Sequence, residues 1–82
     1  MKVPIELQLE IYNFVALQFA TFSNGKNRGE NFSWDNFPDL MSNWVTSIMK
    51  LSAPFDSKYD DHVKEIAKKF AEQLVSKMHE PL

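Results

Sequence analysis

Hydrophobic residues fall into three stretches of this chain, each repeating at helical spacing, with polar residues filling the gaps. On a wheel of about 100° per residue, residues 5–22 put Glu6, Glu10, Asn13 and Thr21 in one narrow polar stripe, which Leu17 also enters. Ile5, Leu7, Leu9, Ile11, Tyr12, Phe14, Val15, Ala16, Phe19, Ala20 and Phe22 cover roughly the remaining two-thirds, interrupted by Gln8 and Gln18. A helix apolar over so much of its circumference is buried on several sides. Residues 5–11 also alternate as a strand would. The alternation stops at Tyr12, and the Glu, Gln, Leu and Ala content favours helix.

The second stretch, about 34–51, divides cleanly. Trp34, Phe37, Leu40, Met41, Trp44, Val45, Ile48 and Leu51 share one face, and Asp39, Ser42, Asn43, Thr46, Ser47 and Lys50 take the other. Ser33 is placed to cap it, and Pro38 is tolerable only near its first turn. Asn36-Phe37-Pro38 is an alternative entry. Trp44, at the centre of the face, is predicted to be substantially buried. The third stretch, about 58–78, repeats Tyr59, Val63, Ile66, Ala67, Phe70, Ala71, Leu74, Val75 and Met78, with Asp56 or Ser57 as its cap. Its outer face sets Asp60 before Lys64, Glu65 before Lys69 and Gln73 before Lys77, an order that suits the helix dipole.

Between them, residues 23–33 hold both glycines among Asn, Ser, Lys and Arg, which marks a polar loop. Ser52-Ala53-Pro54-Phe55-Asp56 stops one helix and starts the next. The expectation is a single all-α domain spanning 1–82, a small three-helix antiparallel bundle. Two features predict that homodimerisation completes it. An 82-residue chain buries a modest core, and the first helix has more apolar surface than two neighbours cover. The leftover surface lies around Leu7, Ile11 and Phe14 on one flank or around Leu9, Ala16 and Ala20 on the other, with Leu7, Ile11 and Phe14 as the named interface candidates. Phe32, which falls off the wheel face of the second stretch, is a further contact candidate.

Composition narrows the chemistry. There is no cysteine, so neither disulfides nor thiolate ligands hold the fold. The longest uninterrupted apolar run is four residues, Phe14 to Leu17, too short for a signal-peptide core or a membrane span. The expected compartment is the cytoplasm. A net charge of −2 gives no overall field to attract nucleic acid or an anionic membrane. Lys26 and Arg28, with Asn24, Asn27 and Asn31, are the candidate phosphate contacts, a small set against a usual count of roughly 6–10.

No catalytic constellation stands out. His62 sits within reach of Asp61 and Glu65 but lacks further ligands, and His79 lies near the chain end. Glu6 and Glu10 share a face at i,i+4, yet paired carboxylates need burial to split their roles, and these lie on the polar stripe. The serines have no nucleophile-elbow context. Neither catalytic residues, nor a metal site, nor a cofactor are expected. The expected function is a non-enzymatic protein–protein interaction module, a small regulatory or accessory protein whose partner is itself or another protein. The alternative is a nucleic-acid-associated regulator acting as a dimer.

Overall fold

The computed structural model describes residues 2–25 and 32–78. Among them the secondary structure is entirely helical. Helix α1 is Ile5–Ser23. Pro4 precedes it with φ −55° and ψ 147°, extended backbone that the pyrrolidine ring favours and that starts the helix cleanly. It ends where Asn24 and Gly25 bond back to the Ala20 and Phe22 carbonyls and Gly25 takes φ +81°, a left-handed turn.

Helix α2 is a composite run from 34 to 52. It opens with a 3₁₀ turn, Trp34–Asn36, continues as α-helix over Phe37–Trp44, widens to a π-turn over Val45–Met49 and closes with Lys50–Ser52. The Ser33 hydroxyl accepts from the Asp35 N–H at 3.2 Å, and Pro38 occupies the first α-turn, where its missing N–H is harmless. Both expected entries are therefore used: Ser33 starts the 3₁₀ turn and Asn36-Phe37-Pro38 starts the α-helix. Helix α3 is Asp60–Met78, led in by a 3₁₀ turn over Ser57–Tyr59, with the Asp56 carboxylate accepting from the Lys58 N–H at 2.9 Å.

The π-turn corrects the predicted face of α2. A regular helix turns Ile48 and Leu51 inward after Trp44 and Val45. One extra residue per turn shifts that phase, so Met49 points inward at 2% exposure while Ile48 and Leu51 stand at 45% and 84%. Two hydroxyls, Thr46 and Ser47, both donate to the Asn43 carbonyl at 3.1 Å, competing with the backbone for that acceptor where the helix widens.

The three helices run up, down and up. Asp39 meets Lys68 at 3.3 Å near one end of the α2–α3 pair, and Lys50 meets Asp60 at 2.8 Å near the other, so these helices are antiparallel. Tyr12 meets the Phe70 ring edge-on at 5.0 Å while Gln8 lies beside His62 and Ile66, so α1 and α3 run parallel. The α2–α3 contact is close because α3 presents Val63, Ala67 and Ala71 to Met41, Val45 and Met49, all buried. The α1–α2 contact is filled by rings instead. Phe22 is fully buried and touches Phe32, Trp34, Phe37 and Trp44 at centroid distances of 5.0 to 6.5 Å. Ring pairs of this kind pack edge to face. Trp44 packs against this cluster and is partly buried, while Phe22 and Phe37 are fully enclosed.

Candidate interaction surface

The inner side of α1 is set by Ile11, Val15 and Phe22, all fully buried, with Leu7, Phe14 and Phe19 packed against them. This corrects the expected interface at Ile11, which has no surface to offer a partner. Leu7 and Phe14 pack against the core and keep part of their surface exposed. Phe32 packs its ring edge-on against Phe22 at 5.0 Å and Trp34 at 5.1 Å and remains partly exposed beside the aromatic cluster.

What remains outside is the other flank. Ile5, Leu9, Tyr12, Ala16 and Ala20 are exposed, Leu9 at 56%. Their spacing of four, three, four and four residues places them within an arc of about 80° on the helix. Leu17, also exposed, lies beside this stripe on the polar side with Glu6, Glu10 and Asn13. On the opposite side, Tyr12 lines a shallow groove of about 210 Å³ with Ile66, Lys69, Phe70 and Gln73. Ile48 and Leu51 form a second, smaller exposed apolar pair on α2.

The polar candidates separate. Glu6 and Glu10 rim a cleft of about 370 Å³ whose floor is Leu7, Phe55 and Tyr59, with Asp56 across it. Phe55 carries the Lys50 ammonium 4.7 Å from its ring centre, and Lys50 is held in turn by Asp60 and the Ser57 hydroxyl. Asp60 thus pairs across the helix junction with Lys50, and its expected i,i+4 partner Lys64 is bypassed. Glu65 and Lys69 do pair as expected, at 2.9 Å. The Lys69 ammonium holds the Glu65 carboxyl below the usual carboxylate range, first through the hydrogen bond and then through its charge. Glu65 raises the Lys69 ammonium in return. His62 faces a small cavity with Gln8, Glu65 and Lys69, and Gln8 itself donates to the Val3 carbonyl at 2.8 Å. Among the described residues no cluster of three His, Cys, Asp or Glu side chains is placed to hold a metal ion. Nor is any helix among them long and apolar enough to cross a membrane. Lys26, Arg28 and His79 lie outside the described residues.

No protein-family model, curated protein or solved structure matches this chain.

The apolar excess of α1 is legible in the sequence on both flanks, and of the two it is the Leu9, Ala16 and Ala20 flank that stays exposed while Ile11 on the other is buried. The signal that separates the flanks is the position of bulk. This holds only in the C-terminal half of α1, where Phe14, Val15, Phe19 and Phe22 are large on one side and Ala16 and Ala20 small on the other. In the N-terminal half the exposed Ile5 and Leu9 are as large as the inner Leu7 and Ile11.

Proposed function

We propose that this chain is a non-enzymatic protein–protein interaction module, a small regulatory or accessory protein, acting through the outer face of α1. The observation that carries the reading is the exposed stripe of Ile5, Leu9, Tyr12, Ala16 and Ala20. Contiguous apolar surface of this kind costs solubility in a soluble chain and marks contact sites. Tyr12 adds a residue type enriched at interfaces, an apolar ring with a polar tip. The polar groups support the same reading: Glu6, Glu10 and Asp56 are exposed on the rim of an open cleft, and the described core buries no polar or charged side chain. The lack of cysteine suits a reducing compartment, and the cytoplasm is the proposed location.

The test compares wild-type protein with Leu9→Glu and with Leu51→Glu as baits in an extract of the source cells. Loss of a specific captured protein, or of the chain itself, on Leu9→Glu alone supports the α1 face. Equal capture by all three, or loss on Leu51→Glu alone, rejects it.

A further inference from the structure

We infer that the occupant of the α1 face is a second copy of this chain, packed antiparallel about a twofold axis beside Tyr12. The inference rests on the reading of that face as an interaction surface and adds the identity and geometry of the partner.

The argument is one of size. Along the stripe the large side chains come first, Ile5 and Leu9, and the small ones last, Ala16 and Ala20, with Tyr12 at the middle. Ile5 and Ala20 are as far from the midpoint as each other, and so are Leu9 and Ala16. Antiparallel pairing therefore lays Ile5 over the partner's Ala20 and Leu9 over the partner's Ala16, each large side chain meeting a small one. Parallel pairing sets Ile5 against the partner's Ile5 and leaves Ala20 facing the partner's Ala20, crowding one end and opening a gap at the other. Such gaps forfeit dispersion contacts outright. A foreign partner gives no reason for the stripe to be complementary to its own reverse, whereas a closed twofold contact requires it.

The flanks agree. A twofold axis perpendicular to the helices brings each polar flank beside its own copy running the other way. Glu10 then neighbours the partner's Asn13 and Leu17. The two Glu10 side chains lie roughly 8 Å apart along the helix axis, a like-charge cost that salt relieves, and the two Glu6 side chains lie roughly 20 Å apart, beyond the screening length of physiological salt. The methylene stems of Glu6 and Glu10 cover the partner's exposed Leu17. On the other flank the partner's Tyr12 meets the groove beside Phe70, which lies at the axis.

Area sets the strength. The stripe is about 22 Å long on a helix about 10 Å wide, which gives roughly 450 Å² of face from both copies. That is less than half the bound of about 1,000 Å² for stable specific interfaces, and Leu17 and the groove add to it at the edges. The dimer is therefore weak and reversible, as small contacts are.

The experiment uses the natural lack of cysteine. Light scattering from about 10 μM to about 1 mM should show the mass rising from one chain towards two, with Leu9→Glu weakening association at least about tenfold while the helical circular dichroism is unchanged. Under mild oxidation Tyr12→Cys should cross-link to itself. Ile5→Cys mixed with Ala20→Cys should cross-link as a heteropair, and each should fail alone. A mass of one chain at every concentration overturns the second copy. So does self-cross-linking of Ile5→Cys, which is the parallel arrangement, or a dimer untouched by Leu9→Glu. If the chain stays monomeric yet Leu9→Glu still abolishes capture of another protein, self-pairing alone is rejected and the interaction surface stands. If Leu9→Glu changes neither, both fall.

Discussion

Phe22 sits within the aromatic cluster, and its replacement is among the most damaging truncations of the described core. It is fully enclosed and touches four other rings. Phe22→Ala should cost about 3–5 kcal/mol, the range for removing a buried ring and leaving a cavity. A domain of this size has little more than that to lose. Trp44→Ala should cost less, because Trp44 is only partly buried and meets Phe22 from the margin. Paired thermal melts check the order; the reverse order would mean that the cluster closes around Trp44. Single residues were read well from the sequence where their chemistry is local. Ser33 and Asp56 cap their turns as their side-chain oxygens dictate. Burial was read less well, because a wheel ranks a residue by direction alone, and Trp44 and Phe22 differ in how many neighbours converge on them.

At the scale of the element, the π-turn is what the sequence did not disclose. Thr46 and Ser47 have the chemistry to disturb a helix, yet the periodicity of 34–51 reads through them without a break. The result was an inward assignment for Ile48 and Leu51, when the extra residue turns Met49 to the core. Met49→Ala should therefore cost about 2–5 kcal/mol, and Ile48→Ala and Leu51→Ala should stay within about 0.5 kcal/mol, as surface changes do. Urea titrations of the three variants check it; a regular helix would give a stable Met49→Ala and two damaged neighbours. On α3 the pairing of Glu65 with Lys69 gives a second expectation. Glu65 has a lowered pKa in the folded chain, so its contribution is present above the ordinary carboxylate range and fades as pH falls through the folded value. Lys69 has a raised pKa, so its share is present below the ordinary lysine range and fades as pH rises through the folded value. Between those limits the pair makes stability flat with pH. Both groups are exposed, so the energetic effect is small. The direct readout is an NMR titration, in which Lys69→Ala should return the Glu65 midpoint upward towards the ordinary carboxylate value. An unmoved midpoint would show that the pair does not persist in solution.

The shape of the whole molecule brings these pieces to bear on association. Its radius of gyration is 12.8 Å, against about 11–12 Å for a typical compact chain of this length. The excess reflects a flattened body of 36 × 26 × 16 Å, in which α2 and α3 close on each other through small side chains while α1 is held off α2 by rings. A helix packed this way has two sides covered and one side bare, which is why an apolar excess visible in the sequence survives as an apolar stripe in the structure. If a second copy covers that stripe, folding and pairing are linked, because the unfolded chain cannot pair. Above the dissociation constant each tenfold rise in protein stabilises the dimer by about 1.4 kcal/mol, or about 0.7 kcal/mol per chain. For a domain of this length that is a rise of about 3–6 °C in Tm. The wild-type Tm should therefore climb with concentration in differential scanning calorimetry. Leu9→Glu should keep nearly the dilute wild-type Tm, since Leu9 is exposed and supports no core contact, and should lose the concentration dependence. Ile11→Ala should do the opposite, because Ile11 is buried: its Tm should fall at every concentration by a constant amount while the slope persists. A wild-type Tm that does not move with concentration would leave the stripe without a second copy of the chain to cover it.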